Sequence, residues 1–184
     1  MKKQQGFTLI ELVIVVIILG FLAVAAIPRF ISATDDARDA SVEGVAGGFA
    51  SAVGLVRAEW ELAGRPAVAN AISYDGLNVF LGASGYPTST SEATSQTNLN
   101  AAKCIEIFTG ILANSPSITS NTTGAVSSDY FATHTNASDA DTCNFFLVST
   151  LASTGNNVTR PNDTTVGQGF TYNAGTSIVR VFKN

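Results

Sequence analysis

Gly6-Phe7-Thr8-Leu9-Ile10-Glu11, followed by the uncharged run LVIVVIILGFLAVAAI at 12–27, decides the fold of this 184-residue chain. Residues 7–27 would make a helix of about 31 Å at 1.5 Å per residue, enough to cross the hydrocarbon core of a bilayer. Glu11 stands at the threshold of this run. At the centre of a membrane helix an acid costs roughly 2.5–3.5 kcal/mol, so Glu11 calls for a partner. The best candidate is a positive amino terminus created by a cut after Gly6.

The hexapeptide at 6–11, with Lys2 and Lys3 ahead of it, resembles the processing site of type IV prepilins. That resemblance implies a membrane peptidase that cleaves after Gly6 and methylates the new terminal residue, Phe7. It further implies that Glu11 engages the amine of a neighbouring subunit and sets the register of addition to a fibre. The likeness is close from residue 1 to about residue 40 and weaker beyond. The leader, the single cysteine pair and the Ser/Thr-rich head most resemble the MSHA-type (mannose-sensitive haemagglutinin) major pilins. An ordinary secretory signal peptide is the alternative, with Lys2-Lys3 as its basic region and Ala23-Val24-Ala25 as its cleavage site. Glu11 at the mouth of the apolar run, and a helical pattern that continues past Ala25, count against it.

Composition fits one globular domain with an appended helix. Charged residues are 13% of the chain and the formal net charge is −4; loss of Lys2 and Lys3 with a leader would take it to −6. A mildly acidic chain without a basic cluster disfavours nucleic acid as a partner. Cys104 and Cys143 are the only thiols. Behind an export signal they are expected to form a disulfide, the alternative being two unpaired buried thiols. Closing a loop of about 40 residues is worth roughly 4 kcal/mol in the chain-entropy model.

Gly20 and Pro28 weaken the apolar helix. Glycine costs about 1 kcal/mol relative to alanine, and proline leaves the carbonyl of Val24 without its helical partner. A simple kink is one outcome; the other is that 20–28 unwinds when subunits pack or a fibre is stretched, as the resemblance implies. Beyond Pro28 the pattern turns amphipathic: Val42, Val45 or Ala46, Phe49, Val53, Val56, Trp60 and Ala63 fall on one stripe. Gly64 and Pro66 stop the helix. Gly44, Gly47, Gly48 and Gly54 suggest close approach of this helix to a sheet.

The head follows. Residues 87–98 read as an exposed polar loop, and 99–113 as a short helix carrying Cys104 with Asn98 as its cap. Residues 117–141 read as polar and turn-rich, 144–151 as a buried strand, and 169–172 with 177–182 as a terminal hairpin. No catalytic constellation declares itself. His134 reads as a solvated loop histidine and Asp139 with Asp141 as a solvated turn; the calcium-loop pattern is incomplete. Neither a metal site nor a cofactor is expected. Four Asn-x-Ser/Thr matches read as chance in a Ser/Thr/Asn-rich chain.

The expected fold is α+β: a long N-terminal helix packed on an antiparallel sheet, with a disulfide-bounded region. The expected parts are a leader at 1–6, an apolar transmembrane and filament-core helix at 7–28, its amphipathic continuation at 29–63, and a head at 64–184. What the resemblance implies is a non-enzymatic major subunit of a type IV pilus, serving attachment, adhesion and biofilm formation, with motility as a further role. Its partners would be copies of itself, the prepilin peptidase, an inner-membrane assembly platform, an assembly ATPase and a secretin. The precursor would sit in the bacterial inner membrane and the product at the cell surface. A pseudopilin of a type II secretion system, a minor pilin, or a soluble secreted domain cut after Ala25 are the rival expectations. In many type IV pilins the second cysteine lies near the C-terminus, whereas Cys143 is followed by 41 residues.

Overall fold

The computed structural model describes residues 7–184. The chain forms two compact units, one ending at Ala40 and one covering Ser41–Asn184. Helix α1, Leu9–Leu62, contributes to both and is continuous through Gly20 and Pro28. In the first unit no described residue is buried, because none of its described residues packs over the helix.

In the second unit α1 becomes one-sided. Val42, Ala46, Phe49, Val53 and Val56 are buried at helical spacing, as the amphipathic stripe predicts, with Ala52 buried beside them and Trp60 half-buried. Ala63 and the predicted close-approach glycines depart from expectation. Ala63 is exposed. A Cβ at Gly44, Gly47 or Gly54 would meet open space, and one at Gly48 only Leu112 Cδ2 at 3.8 Å. These glycines lie on the outward side because the branched and aromatic residues own the inward one. A Schellman motif ends the helix: the Arg65 amide reaches the Trp60 carbonyl at 2.9 Å and the Gly64 amide that of Glu61 at 3.1 Å. Gly64 takes φ +81° to allow it.

Two larger sheets, a two-stranded hairpin and a second helix make up the rest of this unit. Strands β1 (Ile72–Tyr74), β2 (Leu77–Leu81) and β3 (Pro87–Ser89) form an antiparallel three-stranded sheet. Asp75 and Gly76, both at positive φ, make its two-residue hairpin turn. Helix α2 is Ala101–Ile111, and its N-cap is Asn100 rather than Asn98: the Asn100 side chain accepts the Lys103 amide at 2.9 Å. The larger sheet adds β4 (Ile118–Thr119), β5 (Tyr130–Thr135), β6 (Thr142–Leu147), β9 (Gly169–Asn173) and β10 (Val179–Phe182) in the order β10-β9-β6-β5-β4. It is antiparallel except for the short parallel pair β4–β5. A small hairpin, β7 (Ser153–Thr154) and β8 (Asn157–Val158), lies between β6 and β9 in sequence.

The predicted terminal hairpin is present as β9–β10. The strand expected over 144–151 instead stops at Leu147, and Val148–Thr150 closes into a 3₁₀ turn. The stretch 117–141 contains β5, which pairs with β6 over six residues and is buried from Tyr130 to Thr133. The loop expected to be exposed over 87–98 is so only in part: Thr88 and Ser89 are fully buried and Thr94 is buried too, whereas 91–93, 95, 97 and 98 are exposed.

Phe49 is the centre of the main core. Its ring lies 5.3–6.2 Å from those of Tyr172, Phe145, Phe170 and Phe108, which joins α1 to α2, β6 and β9. Alternation along β6 turns Phe146 to the other face, where it forms a smaller core with Ala125, Phe131, Val148, Leu151 and Val158. The disulfide Cys104–Cys143 links α2 to β6 with a Cα–Cα distance of 5.5 Å, and both cysteines are wholly buried. It therefore staples the core rather than a surface region.

Candidate functional site

The candidate site is the start of α1. Thr8 and Glu11 form a reciprocal capping box. The Glu11 carboxylate accepts through Oε2 from the Thr8 amide and from the Thr8 hydroxyl, both at 2.9 Å. The Thr8 hydroxyl oxygen accepts the Glu11 amide at 3.3 Å. An acid that sequence reading leaves in need of a partner is thus satisfied locally, through one oxygen. The spacing Thr8-x-x-Glu11 carried this signal, and sequence reasoning passed over it in favour of an intermolecular partner.

Phe7 projects freely, with 92% of its surface exposed. Phe7, Leu12, Val15 and Val16 surround Glu11 in a shallow hollow of about 330 Å³. The negative carboxylate also lies at the N-terminal end of the helix, where the backbone dipole favours it. The arrangement offers an apolar surface for association and one acceptor oxygen for a cationic donor. Gly6, the predicted cleavage position, lies outside the described residues. Of the two predicted weak points, Gly20 faces open space and Pro28 stands inside the unbroken helix.

The remaining candidates fall elsewhere. His134 is not in a loop: it lies on β5, half-buried, opposite Cys143, and its Nδ1 is enclosed without a hydrogen-bond partner among the described residues. Asp141 is not solvated. It is 1% exposed, and its carboxylate accepts the Leu99 amide at 2.8 Å and the Ala137 amide at 3.0 Å. Asp139 remains exposed. Among the described residues no three His, Cys, Asp or Glu side chains gather in a metal-binding group.

Sequence reasoning missed two polar clusters that fasten the head. Lys103 projects from α2 with its side chain 9% exposed, within 3.0 Å of Glu92 and 3.1 Å of Glu106. Glu106 also accepts from Ser89, Ser91 and the Thr90 amide, so the strap 89–94 is tied to α2. The second cluster is at the end of α1. Arg57 bonds Glu61 through Nε at 3.0 Å and Nη2 at 2.7 Å, and Arg65 pairs with the same carboxylate. Arg65 first, and Arg57 with it, hold the Glu61 carboxyl below its ordinary range despite some desolvation. Tyr172 hydroxyl donates to the Pro87 carbonyl at 2.9 Å; complete burial, with Tyr86 nearby, pushes its ionisation well above the usual range.

Comparison with known proteins bears on the start of α1 first. A pattern described as the prokaryotic N-terminal methylation motif matches residues 1–27. The Type IV narrow pilus major component PilA5 of Thermus thermophilus is 36% identical over 102 residues, which covers 55% of this chain and 79% of that protein. Type II secretion system core protein G of Pseudomonas aeruginosa is 38% identical over 56 residues, covering 30% of this chain and 39% of that protein. No solved structure is significantly similar.

Proposed function

The chain belongs to the type IV pilin family, a family of structural subunits rather than enzymes, and from that premise we propose that it is the major subunit of a type IV pilus. The observation that carries this reading is the first unit. Its apolar helix has no buried residue among those described, so its surface is free for lipid before assembly and for copies of itself afterwards. Burying such surface is worth about 25 cal/mol per Å². A relative whose chain is largely spanned by the match is itself a pilus major component.

In this reading the peptidase cuts after Gly6 and methylates Phe7. The Phe7 amine of one subunit meets the Glu11 carboxylate of the next, using the acceptor capacity that Thr8 leaves over. A charged pair in low dielectric is far more strongly coupled than one in water. Residues 20–28 unwind on packing or stretching, where Gly20 and Pro28 make the helix weakest. Residues 1–6 act as leader, 7–28 as filament core, 29–63 as the amphipathic part and 64–184 as the surface head. The inner-membrane platform, assembly ATPase and secretin would act on the precursor, and the assembled product would serve attachment, biofilm formation and motility at the cell surface, in the manner of MSHA-type pili.

Electron microscopy of cells lacking this chain tests the reading. Loss of long surface fibres is the expected result. Intact fibres with failed secretion would overturn it in favour of a pseudopilin, the reading to which the shorter match with the secretion-system core protein points.

A further inference from the structure

One arginine ties the end of α1 into the head. The Arg57 guanidinium lies 4.5 Å from the centroid of the Trp60 ring and 5.0 Å from that of Tyr86, and its Nη1 donates to the Ser84 carbonyl. Gly85 sits against this stack at φ +75°, where a Cβ would collide with the guanidinium and come within 2.7 Å of the Trp60 ring. The bonding continues beyond Ser84. The Ser84 amide and hydroxyl both donate to Gln96 Oε1, at 3.3 and 2.9 Å. Gln96 Nε2 donates to the Asp139 carbonyl at 3.1 Å, and the Gln96 carbonyl accepts the Asp141 amide at 2.7 Å. Asp141 in turn holds the start of α2 through Leu99 and the β5–β6 turn through Ala137.

Three of these links join residues 27, 12 and 43 positions apart. The line therefore connects elements that the chain itself does not bring together. It ends at the turn 136–141, whose residues 136–139 are all exposed. The strap 89–94, held by Glu106 and Lys103, shares no hydrogen bond with it among the described residues.

We propose that the line Arg57–Ser84–Gln96–Asp139/Asp141 is a strain-transmitting device: displacement of the end of α1 against the head loosens the β5–β6 turn before the aromatic core opens. Hydrogen bonds weaken steeply with added distance and misalignment, whereas the contacts around Phe49 are many and non-directional. A small displacement is thus felt first along the bonded line. In a filament pulled along its helices, the turn 136–141 becomes more open under tension, and the pilus surface reports its load. This consequence rests on the filament-subunit reading; the coupling itself does not.

Hydrogen exchange of the full chain in detergent micelles tests the coupling. Arg57→Lys keeps the charge but cannot stack between two rings while bonding in a fork. The expected result is about tenfold faster exchange at 82–86 and also at the Ala137, Leu99 and Asp141 amides, with 42–56 unchanged. Gln96→Ala, which leaves Arg57 in place, should loosen 137–141 while sparing the Arg57–Ser84 contact. Glu106→Gln should affect 89–94 alone. Loosening confined to 82–86 in Arg57→Lys, or an equal change at every amide, would overturn the proposal. The same variants in purified filaments under constant load should open the turn sooner than wild type. Failure of the wild-type chain to form filaments would count against the filament reading and leave the micelle result standing.

Discussion

Replacing Phe49 with alanine removes the ring on which α1, α2, β6 and β9 converge. Phe49 has no exposed surface, so the transfer term is the full value for a buried large apolar side chain, about 2–3 kcal/mol. Its aromatic neighbours add about 0.5–1.5 kcal/mol beyond area. The four surrounding rings are themselves pinned by β6, β9 and α2, so the cavity collapses little. The expected loss is about 3–5 kcal/mol, the range for buried Phe→Ala. Urea unfolding of the full chain in micelles measures it, with Trp60, the single tryptophan, as the fluorescent reporter. At a slope of about 2 kcal/mol per M the midpoint falls by roughly 2 M. Leu55→Ala, at a residue 59% exposed, should move stability by no more than about 0.5 kcal/mol. A Phe49→Ala effect as small as that of Leu55→Ala would refute the claim that this ring joins helix to head.

Glu11→Ala should leave the precursor anchored and cleaved but sharply reduce sheared fibre, whereas Thr8→Val, which removes only the local cap, should retain fibre; normal yield from Glu11→Ala would rule out the intersubunit pairing. Replacing Cys104 and Cys143 together by alanine should destabilise the head by about 2–4 kcal/mol, read as a lowered urea midpoint; an unchanged midpoint would remove the disulfide from the account. Acid should loosen the strap 89–94. Burial opposes ionisation of Glu106, but hydrogen bonds from Ser89, Ser91, Lys103 and the Thr90 amide outweigh it and hold its carboxyl below the ordinary 4.5. A depressed acid contributes stability above its unfolded value and loses it as pH falls through the folded one. Stability should therefore decline below about pH 4.5, and Glu106→Gln should flatten that decline; an identical acid profile in the variant would refute it.

The parts of this fold that could be read from sequence are those that one chemical pattern dictates. The apolar run, the stripe through Val42, Phe49 and Val56, and the stop at Gly64 each follow from helical spacing and a terminal glycine. The pairing of Cys104 with Cys143 followed from having two thiols behind an export signal. What escaped was structure whose pattern is mixed. Strand β5, Tyr-Phe-Ala-Thr-His-Thr, lies in a sheet with cores on both faces, so the adjacent Tyr130 and Phe131 are both buried and no apolar–polar alternation shows. Residues 87–98 are polar yet partly buried, because the Glu106 carboxylate, the Phe80 and Glu92 carbonyls and the Tyr172 hydroxyl supply the hydrogen bonds that water would otherwise provide. Asp141 looks like any turn aspartate until Leu99 and Ala137 are brought to it. At the site itself Glu11 was legible as an acid needing a partner, and Thr8 was legible as a cap; the two had only to be taken together.

The measurement that bears most directly on the central claim is the intact mass and N-terminal sequence of the mature protein. The mature chain should begin at Phe7 and carry one added methyl group on its amine. A chain beginning at Ala26, or one retaining Met1 in surface fibres, would contradict that claim.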